Sequence, residues 1–201
     1  MPDVSDREKY SDDKSDLVGN ISHEIKTPLT LIMGAAEVIL KDSEMPRAYL
    51  DKFLKTIFTN SERVNLLLDD LIFLHHLERT PEIEPEQTDV MEVVEELKGL
   101  LASGNKEIIY NIQPASARIH STHLLSVLTN LIGNAEKYSQ GGVIEVDMRK
   151  NGHTLEIKVA DQGPPIPSSE IDRIFERFYT VSKSRNRGAS GSGLGLSIVK
   201  H

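Results

Sequence analysis

The chain has 201 residues, a formal net charge of −8, 38% hydrophobic and 27% charged side chains, and no cysteine. This balance is that of a soluble protein with one large core or two small ones. It argues against nonspecific nucleic-acid binding, which needs a basic face, and against disulfide or thiol chemistry. Because no apolar run is long enough to span a bilayer, we expect a cytoplasmic fragment without membrane contact. Anchoring of the full-length protein in the inner membrane is left open by the sequence.

Two amphipathic helices are predicted in the first part of the chain. Residues 1–14 are polar and weakly patterned, and we expect a linker or a disordered segment there. Residues 15–79 carry two apolar stripes with spacings of three and four, broken at residues 42–46, which predicts a helical hairpin. The stripe positions are Val18, Ile21, Ile25, Leu29, Ile32, Ala36 and Ile39, then Leu50, Leu54, Ile57, Val64, Leu68, Leu71 and Leu74. A hairpin cannot bury two such stripes alone, so we expect it to dimerise into a four-helix bundle.

A histidine in the first helix is a candidate nucleophile. His23 lies two residues from both Ile21 and Ile25, or about 200° around the helix, and should face solvent. Neutral imidazole is nucleophilic near neutral pH, and the adjacent Glu24 can accept or orient the proton that is released. Pro28 predicts a kink in this helix. By itself, the pattern is more typical of a surface histidine before a kink than of a catalytic group.

A second domain is predicted at residues 89–201, after an acidic, proline-containing linker at residues 80–88. Helices and strands alternate, and Asn151-Gly152 is a strong hairpin signal. The order predicts an α/β sandwich with helices on one face of a sheet. The predicted elements are a helix from Asp89 to about Ala102, strands at 107–112 and near Arg118, a helix at 122–138, strands at 143–149 and 155–159, a short helix from Ser168 or Ser169 to about Arg177, and a final helix after residue 191.

Two asparagines in the predicted helix at residues 122–138 suggest a metal-phosphate site. Asn130 and Asn134 are one turn apart and therefore project from one face. Amide oxygen is a suitable ligand for Mg²⁺, which keeps waters and substrate phosphates as its other ligands. An ordinary amphipathic helix does not explain two poor helix formers in its middle.

A glycine-rich run, Gly-Ser-Gly-Leu-Gly-Leu at residues 191–196, opens the last predicted helix. Glycines allow the backbone to approach phosphates closely. The run follows a polar loop instead of a strand and lacks the Lys-Ser/Thr ending of a P-loop, so it is neither a dinucleotide fingerprint nor a P-loop. The loop carries Lys183, Arg185 and Arg187, any of which could balance charge on a transferring phosphoryl group. A solvated basic loop explains any one of them equally well.

Taken together, these motifs resemble the catalytic core of a two-component sensor histidine kinase. The hairpin resembles the dimerisation and phosphoacceptor domain, and residues 89–201 resemble the ATP-binding domain shared with the gyrase, Hsp90 and MutL families. The resemblance implies a multidomain fold, an all-α helical hairpin followed by an α/β sandwich. It also implies ATP and Mg²⁺ as cofactors, a homodimer, and the receiver domain of a response regulator as a partner. The blocks that carry it are residues 22–29, 130–138, 161–167, 174–179 and 191–196.

The resemblance implies a role for each block. His23 would be the phosphoacceptor, while Glu24 and Thr27 would orient water for dephosphorylation of the partner. Asn130 would be the Mg²⁺ ligand, and Asp161 would accept a hydrogen bond from the adenine amino group. The implied ATP-binding residues are Asn130, Asn134, Lys137, Tyr138, Asp161, Gly163, Lys183, Arg185, Gly191, Gly193, Leu194, Gly195 and Leu196.

Four features depart from the family pattern. Lys26 stands where arginine is usual, which keeps the charge but loses the fork geometry. Pro165 replaces a glycine and fixes φ near about −65°, so either the loop takes another path or nucleotide affinity is reduced. Thr180 stands where many relatives have arginine, so the basic residue that acts in the lid is left open. The chain stops at His201, inside the last helix, and we expect a domain that is truncated at its C-terminus.

Three interpretations of function follow. The first is ATP-dependent autophosphorylation of His23 with transfer to an aspartate of a response regulator, together with phosphatase activity on that regulator. The second, an ATP-hydrolysing clamp, needs a carboxylate upstream of Asn130, but Ser126 stands one turn before it. The third is a degenerate dimeric scaffold with weak or no nucleotide binding, which Pro165 and Thr180 favour over the second.

Overall fold

The computed structural model describes residues 4–79, 85–102, 106–181 and 192–201, with the backbone alone for residues 4–17 and 79. The chain divides into two compact units between His76 and Leu77. A helical hairpin is followed by an α/β unit with a mixed sheet, which confirms the predicted fold class. None of the helices in the described ranges combines the length and the apolarity that a membrane span needs.

The first unit is a hairpin of two long helices, α1 (Val4–Lys41) and α2 (Arg47–Arg79). α1 begins well before the apolar stripe, because residues 4–16 contain no glycine or proline that would stop a helix. Most of the segment 1–14, which was expected to be a linker or disordered, is therefore helical. The domain bounds stay a prediction. α1 also continues through Pro28, whose side chain is buried.

The hairpin buries few of its apolar side chains. Ala35, Leu67 and Leu74 are buried, whereas Leu54 and Leu68 of the predicted stripe are exposed. Periodicity could not choose the inward position within the run Leu66-Leu67-Leu68, because any of the three fits a helical stripe. Val18 and Leu29 of the predicted stripes are exposed as well, and so are Leu31, Met33, Val38, Leu40, Tyr49, Phe58, Leu66 and Ile72. So much exposed apolar surface is typical of a protein interface.

The second unit is a mixed α/β fold. Its elements are β1 (Gln87–Asp89), α3 (Val90–Leu101), β2 (Ile108–Ile112), β3 (Ser116–Arg118), α4 (Ser121–Tyr138), β4 (Ile144–Asn151), β5 (Thr154–Ala160) and α5 (Gly195–Lys200). β2, β4 and β5 form one sheet in that order, with β2 parallel and β5 antiparallel to β4. β1 and β3 form a separate antiparallel pair.

The core of this unit lies between the three-stranded sheet and the helices α3 and α4. Alternate residues of β4 point inward, and Ile144, Val146 and Met148 are fully buried. They pack in one cluster with the apolar faces of the two helices, including Leu97 and Leu128. Helices therefore cover one face of the sheet, as the alternation of elements predicted.

The predicted hairpin turn lies between β4 and β5. Gly152 adopts a φ of 60°, which glycine reaches at little cost. The Thr154 hydroxyl donates to the Asn151 carbonyl at 2.8 Å, and Asn151 pairs with Thr154 in the ladder. The register brings Val146 opposite Val159. This turn confirms the prediction from Asn151-Gly152.

Two local features differ from the expectations. The last two residues of the 80–88 linker belong to β1, which pairs with β3, and the Ile119 N–H donates to the Glu86 carbonyl at 3.0 Å. Strands this short carry no readable alternation. The expected helix near residues 168–177 is a series of turns, because bonds such as Glu176 N–H to the Arg173 carbonyl (2.9 Å) span three residues.

The N-terminus of α4 is capped from outside the helix. One carboxylate oxygen of Glu86 accepts both the backbone N–H (3.1 Å) and the hydroxyl (3.0 Å) of Ser121. These bonds, the backbone one first, hold the pKa of Glu86 below its ordinary value. Burial, and then the neighbouring His120, lowers the pKa of His123. Because both pKa values are lower in the folded state than in the unfolded chain, the free energy of unfolding is larger at neutral pH than in acid.

Acidification is expected to destabilise the second unit in two steps. In the unfolded chain His123 takes up a proton near its reference pKa of 6.5, before the folded state does, so stability falls as the pH drops below 6.5. The contribution of Glu86 is present above its reference pKa of 4.5 and is lost as the pH falls through its lower folded pKa. Urea midpoints followed through the Ile144 methyl NMR signal, between about pH 7.5 and about pH 5.5, should show the first step. His123→Gln should reduce the change of the urea midpoint with pH, whereas His153→Gln, a change at an exposed histidine, should not. If the midpoint of His123→Gln changed with pH as much as that of the parent, His123 would not be the group responsible.

Candidate functional site

His23 is exposed on α1. This confirms the prediction that its ring faces solvent. One turn later, the Thr27 hydroxyl donates to the His23 backbone carbonyl at 3.2 Å. Thr27 is also exposed, so an imidazole and a hydroxyl are reachable on neighbouring turns of the same helix.

Glu24 is held by the other helix of the hairpin. Its Oε2 lies 3.3 Å from Nη2 of Arg63 on α2, and the two residues are separated by 39 positions in the chain. Both side chains are half-buried. Arg63 could not be predicted as this partner, because periodicity does not specify which residues of two helices meet.

Asn130 lies half-buried in the middle of α4. Its Nδ2 donates to the Ser126 carbonyl at 3.0 Å, and its Oδ1 therefore points away from that carbonyl. Oδ1 faces Gly195, where a Cβ would collide with it. The first residue of α5 must be small for the amide to keep this orientation.

The end of α4 meets the loop that follows β5. Lys137 Nζ lies 4.7 Å from the centroid of the Tyr138 ring, and Asn134 and Lys137 are half-buried. A Cβ at Gly163 would lie 2.9 Å from the Tyr138 carbonyl oxygen, so Gly163 allows the loop to approach the helix. Asp161 is exposed, and its Oδ1 accepts the Gly163 N–H at 2.5 Å.

The glycine-rich run forms a tight backbone contact. The Phe178 N–H donates to the Gly193 carbonyl at 2.9 Å, and a Cβ at Gly193 would lie 2.6 Å from the Phe178 carbonyl carbon. Gly193 has a φ of 72° and Phe178 has a φ of 60°, which is rare for an aromatic residue. Leu194 is fully buried and Leu196 is half-buried. Lys183, Arg185 and Gly191 lie outside the described residues.

The described parts of three sequence blocks thus meet around α4. Gly195 lies against Asn130, and Gly163 lies against Tyr138 and Asp161. Sequence reasoning missed Arg63, as well as the close contact of Gly142 with the Gln162 side chain. Gly142 has a φ of 75°, and a glycine pair before a strand is a signal that could have indicated this close approach.

The first unit exposes a histidine on a long helix, and the second brings glycines close to the polar face of α4. Comparison with known proteins finds a family model for each part. Residues 13–80 match the His Kinase A (phospho-acceptor) domain, and residues 119–201 match the histidine kinase-, DNA gyrase B-, and HSP90-like ATPase.

Individual relatives match across both units. The sensor-like histidine kinase SenX3 of Mycolicibacterium smegmatis is 34% identical over 210 residues, covering 100% of this chain and 54% of that protein. The aerobic respiration control sensor protein ArcB of Escherichia coli (strain K12) is 32% identical over 215 residues, covering 98% of this chain and 27% of that protein. The solved structure of the Acinetobacter baumannii histidine kinase AdeS shares the fold, with a TM-score of 0.66 at 23% identity over 88% of this chain and 83% of that one.

The chain belongs to the sensor histidine kinase family. Its second unit contains the ATP-binding domain of that family. The chain spans about half the length of the SenX3 that it matches, 54% of it.

Proposed function

We propose that the chain transfers the γ-phosphoryl group of ATP to its own His23. One observation carries the proposal: a single chain joins an exposed histidine within a phosphoacceptor domain to an ATPase-type domain. The electron pair of one ring nitrogen of His23 forms the N–P bond. The bond from the γ-phosphorus to the bridging oxygen breaks, and its electron pair leaves with ADP. The proton on the other ring nitrogen passes to Glu24.

The nucleotide is proposed to lie along the polar face of α4. Asn134, Lys137 and Tyr138 would line its phosphates, and Asp161 would accept from the adenine amino group. Asp161 meets Gly163 through Oδ1, so Oδ2 is the oxygen left to accept. The backbone of the glycine-rich run, Gly191, Gly193, Leu194, Gly195 and Leu196, would approach the phosphates, with Lys183 or Arg185 balancing their charge.

The residues present fit Mg²⁺. The Asn130 Oδ1 is a hard oxygen, oriented by the bond from Nδ2 to the Ser126 carbonyl and facing a glycine that leaves space. Asn130 would hold the ion together with the phosphates. When bound, the ion neutralises charge on the β- and γ-phosphates. The chain's own part is to keep the Asn130 amide in the orientation that the Ser126 carbonyl fixes.

The hairpin is proposed to form a homodimer. Its exposed leucines and Phe58 support this, because a four-helix bundle would bury them. The phosphoryl group would then pass from His23 to an aspartate on a response regulator. In a separate reaction, Glu24 and Thr27 would orient water that attacks the aspartyl phosphate of that regulator and releases inorganic phosphate; Glu24 follows His23 directly on α1, and Thr27 lies one turn later.

Incubation of the purified chain with radiolabelled ATP and Mg²⁺ tests this proposal. Label should appear on the protein and be lost in acid but kept in base, as expected for a P–N bond. His23→Gln should remove it, and His153→Gln, a change at another exposed histidine, should not. Bound nucleotide without any label would favour the dimeric scaffold instead, and label that survives His23→Gln would move the acceptor elsewhere.

A further inference from the structure

The ion pair between Glu24 and Arg63 differs from two ion pairs that lie within single helices of the hairpin. The side chains of Glu24 and Arg63 are 35% and 30% exposed and come from different helices. Lys41–Glu37 and Arg47–Asp51 lie within one helix, and their side chains are 53% to 80% exposed. Exposed pairs of that kind contribute little to stability, whereas a half-buried pair between two elements restricts both side chains.

Helix geometry explains why Glu24 needs such a partner. Adjacent residues of a helix project about 100° apart, so Glu24 does not face His23 simply by being next to it. The contact that the carboxylate makes determines where it lies. Arg63 engages it through Oε2 alone, which leaves Oε1 to accept a proton or a water hydrogen bond.

We propose that Arg63 is a positioning residue of the phosphoacceptor site. From α2 it holds the Glu24 carboxylate in the one orientation from which Oε1 takes the imidazole proton of His23. This inference rests on the proposed function and extends it, because it makes α2 part of the acceptor chemistry. Arg63 forms no bond to the transferred group and acts through Glu24.

Arg63→Met is expected to lower kcat of autophosphorylation roughly tenfold, a part of the 10²–10⁴-fold that a positioned base contributes. KM for ATP should not change, because the proposed nucleotide residues lie in the other unit. Arg63→Lys should restore part of the rate, since it keeps the charge and loses the planar fork. Single-turnover labelling at several ATP concentrations separates the two constants.

A double-mutant cycle distinguishes positioning from a general structural role. Glu24→Gln alone should lower the rate about 100-fold, and adding Arg63→Met should lower it no further. Arg47→Met, on the same helix, is the matched control and should leave the rate unchanged. Circular dichroism and the dimer mass of each variant verify folding.

Three results would overturn the inference. They are an unchanged kcat in Arg63→Met, a rise in KM for ATP that accounts for the whole effect, and an equal loss from Arg63→Met with or without Glu24. If Arg63→Met does not fold, Arg63→Lys takes its place in the cycle, and a rate loss that persists in Glu24→Gln again overturns it. Failure of the proposed function has a different signature, namely no label on the parent chain.

Discussion

Asn130→Ala is expected to lower ATP-dependent labelling of the chain about 100-fold or more, which is typical of removing one group that stabilises charge at a reacting centre. Its Oδ1 is held in place from both sides, by the bond from Nδ2 to the Ser126 carbonyl and by Gly195. Initial labelling rates at saturating ATP, with Mg²⁺ varied, measure the effect. The parent rate should depend on Mg²⁺ and the residual rate of the variant should not.

Thr129→Ala is a matched control for this substitution. Thr129 precedes Asn130 on α4, but it is exposed, and its hydroxyl bonds within the helix to the Leu125 carbonyl at 2.8 Å. Its loss should leave labelling within about twofold, since exposed substitutions usually cost little. Gly195 lies on the Oδ1 side of the Asn130 amide. Gly195→Ala should also reduce labelling, because the new Cβ would displace Oδ1. Full labelling by Asn130→Ala would contradict the role of this amide.

Gly193→Ala is expected to destabilise the ATP-binding unit by about 2 kcal/mol or more. A left-handed conformation costs an L-residue about 1–2 kcal/mol, and here the added Cβ would also lie 2.6 Å from backbone, which cannot move as a side chain can. Hydrogen exchange of the β4 amides measures the opening of this unit without contribution from the hairpin.

Gly133→Ala provides the opposite control. Gly133 lies within α4, and nothing is within 4 Å of its added Cβ. Alanine there should stabilise the unit by about 0.5–1 kcal/mol, because it favours the helix. If Gly193→Ala raised the protection of the β4 amides as Gly133→Ala does, or left it unchanged, the contact between Gly193 and Phe178 would not stabilise the unit.

The sequence predicts the elements of this protein better than their contacts. The stripe around His23 predicted its exposure, and Asn151-Gly152 predicted the turn between β4 and β5. Both features are encoded within a few residues. The contact between Glu24 and Arg63 was not predictable, because it joins positions 39 residues apart and depends on how two helices pack.

In the candidate sites too, local features could be predicted from the sequence and contacts between distant residues could not. The blocks at Asn130 and the glycine run were identified from residue type and spacing, whereas the block at Asp161 was identified only from the resemblance to the family. That Gly195 would lie against Asn130, and Gly163 against Tyr138, required the folded chain, since these residues belong to separate elements. The pairing of β1 with β3 was missed because strands of three residues are too short to show a period.

Mapping the phosphorylated residue tests the central claim most directly. The chain is incubated with Mg²⁺ and ATP, digested at neutral to alkaline pH so that a P–N bond survives, and analysed by tandem mass spectrometry. We expect one phosphoryl group on the peptide that contains His23, and none on that peptide in His23→Gln. Phosphate on another of the seven histidines, or on a hydroxyl side chain with His23 unmodified, would contradict the account.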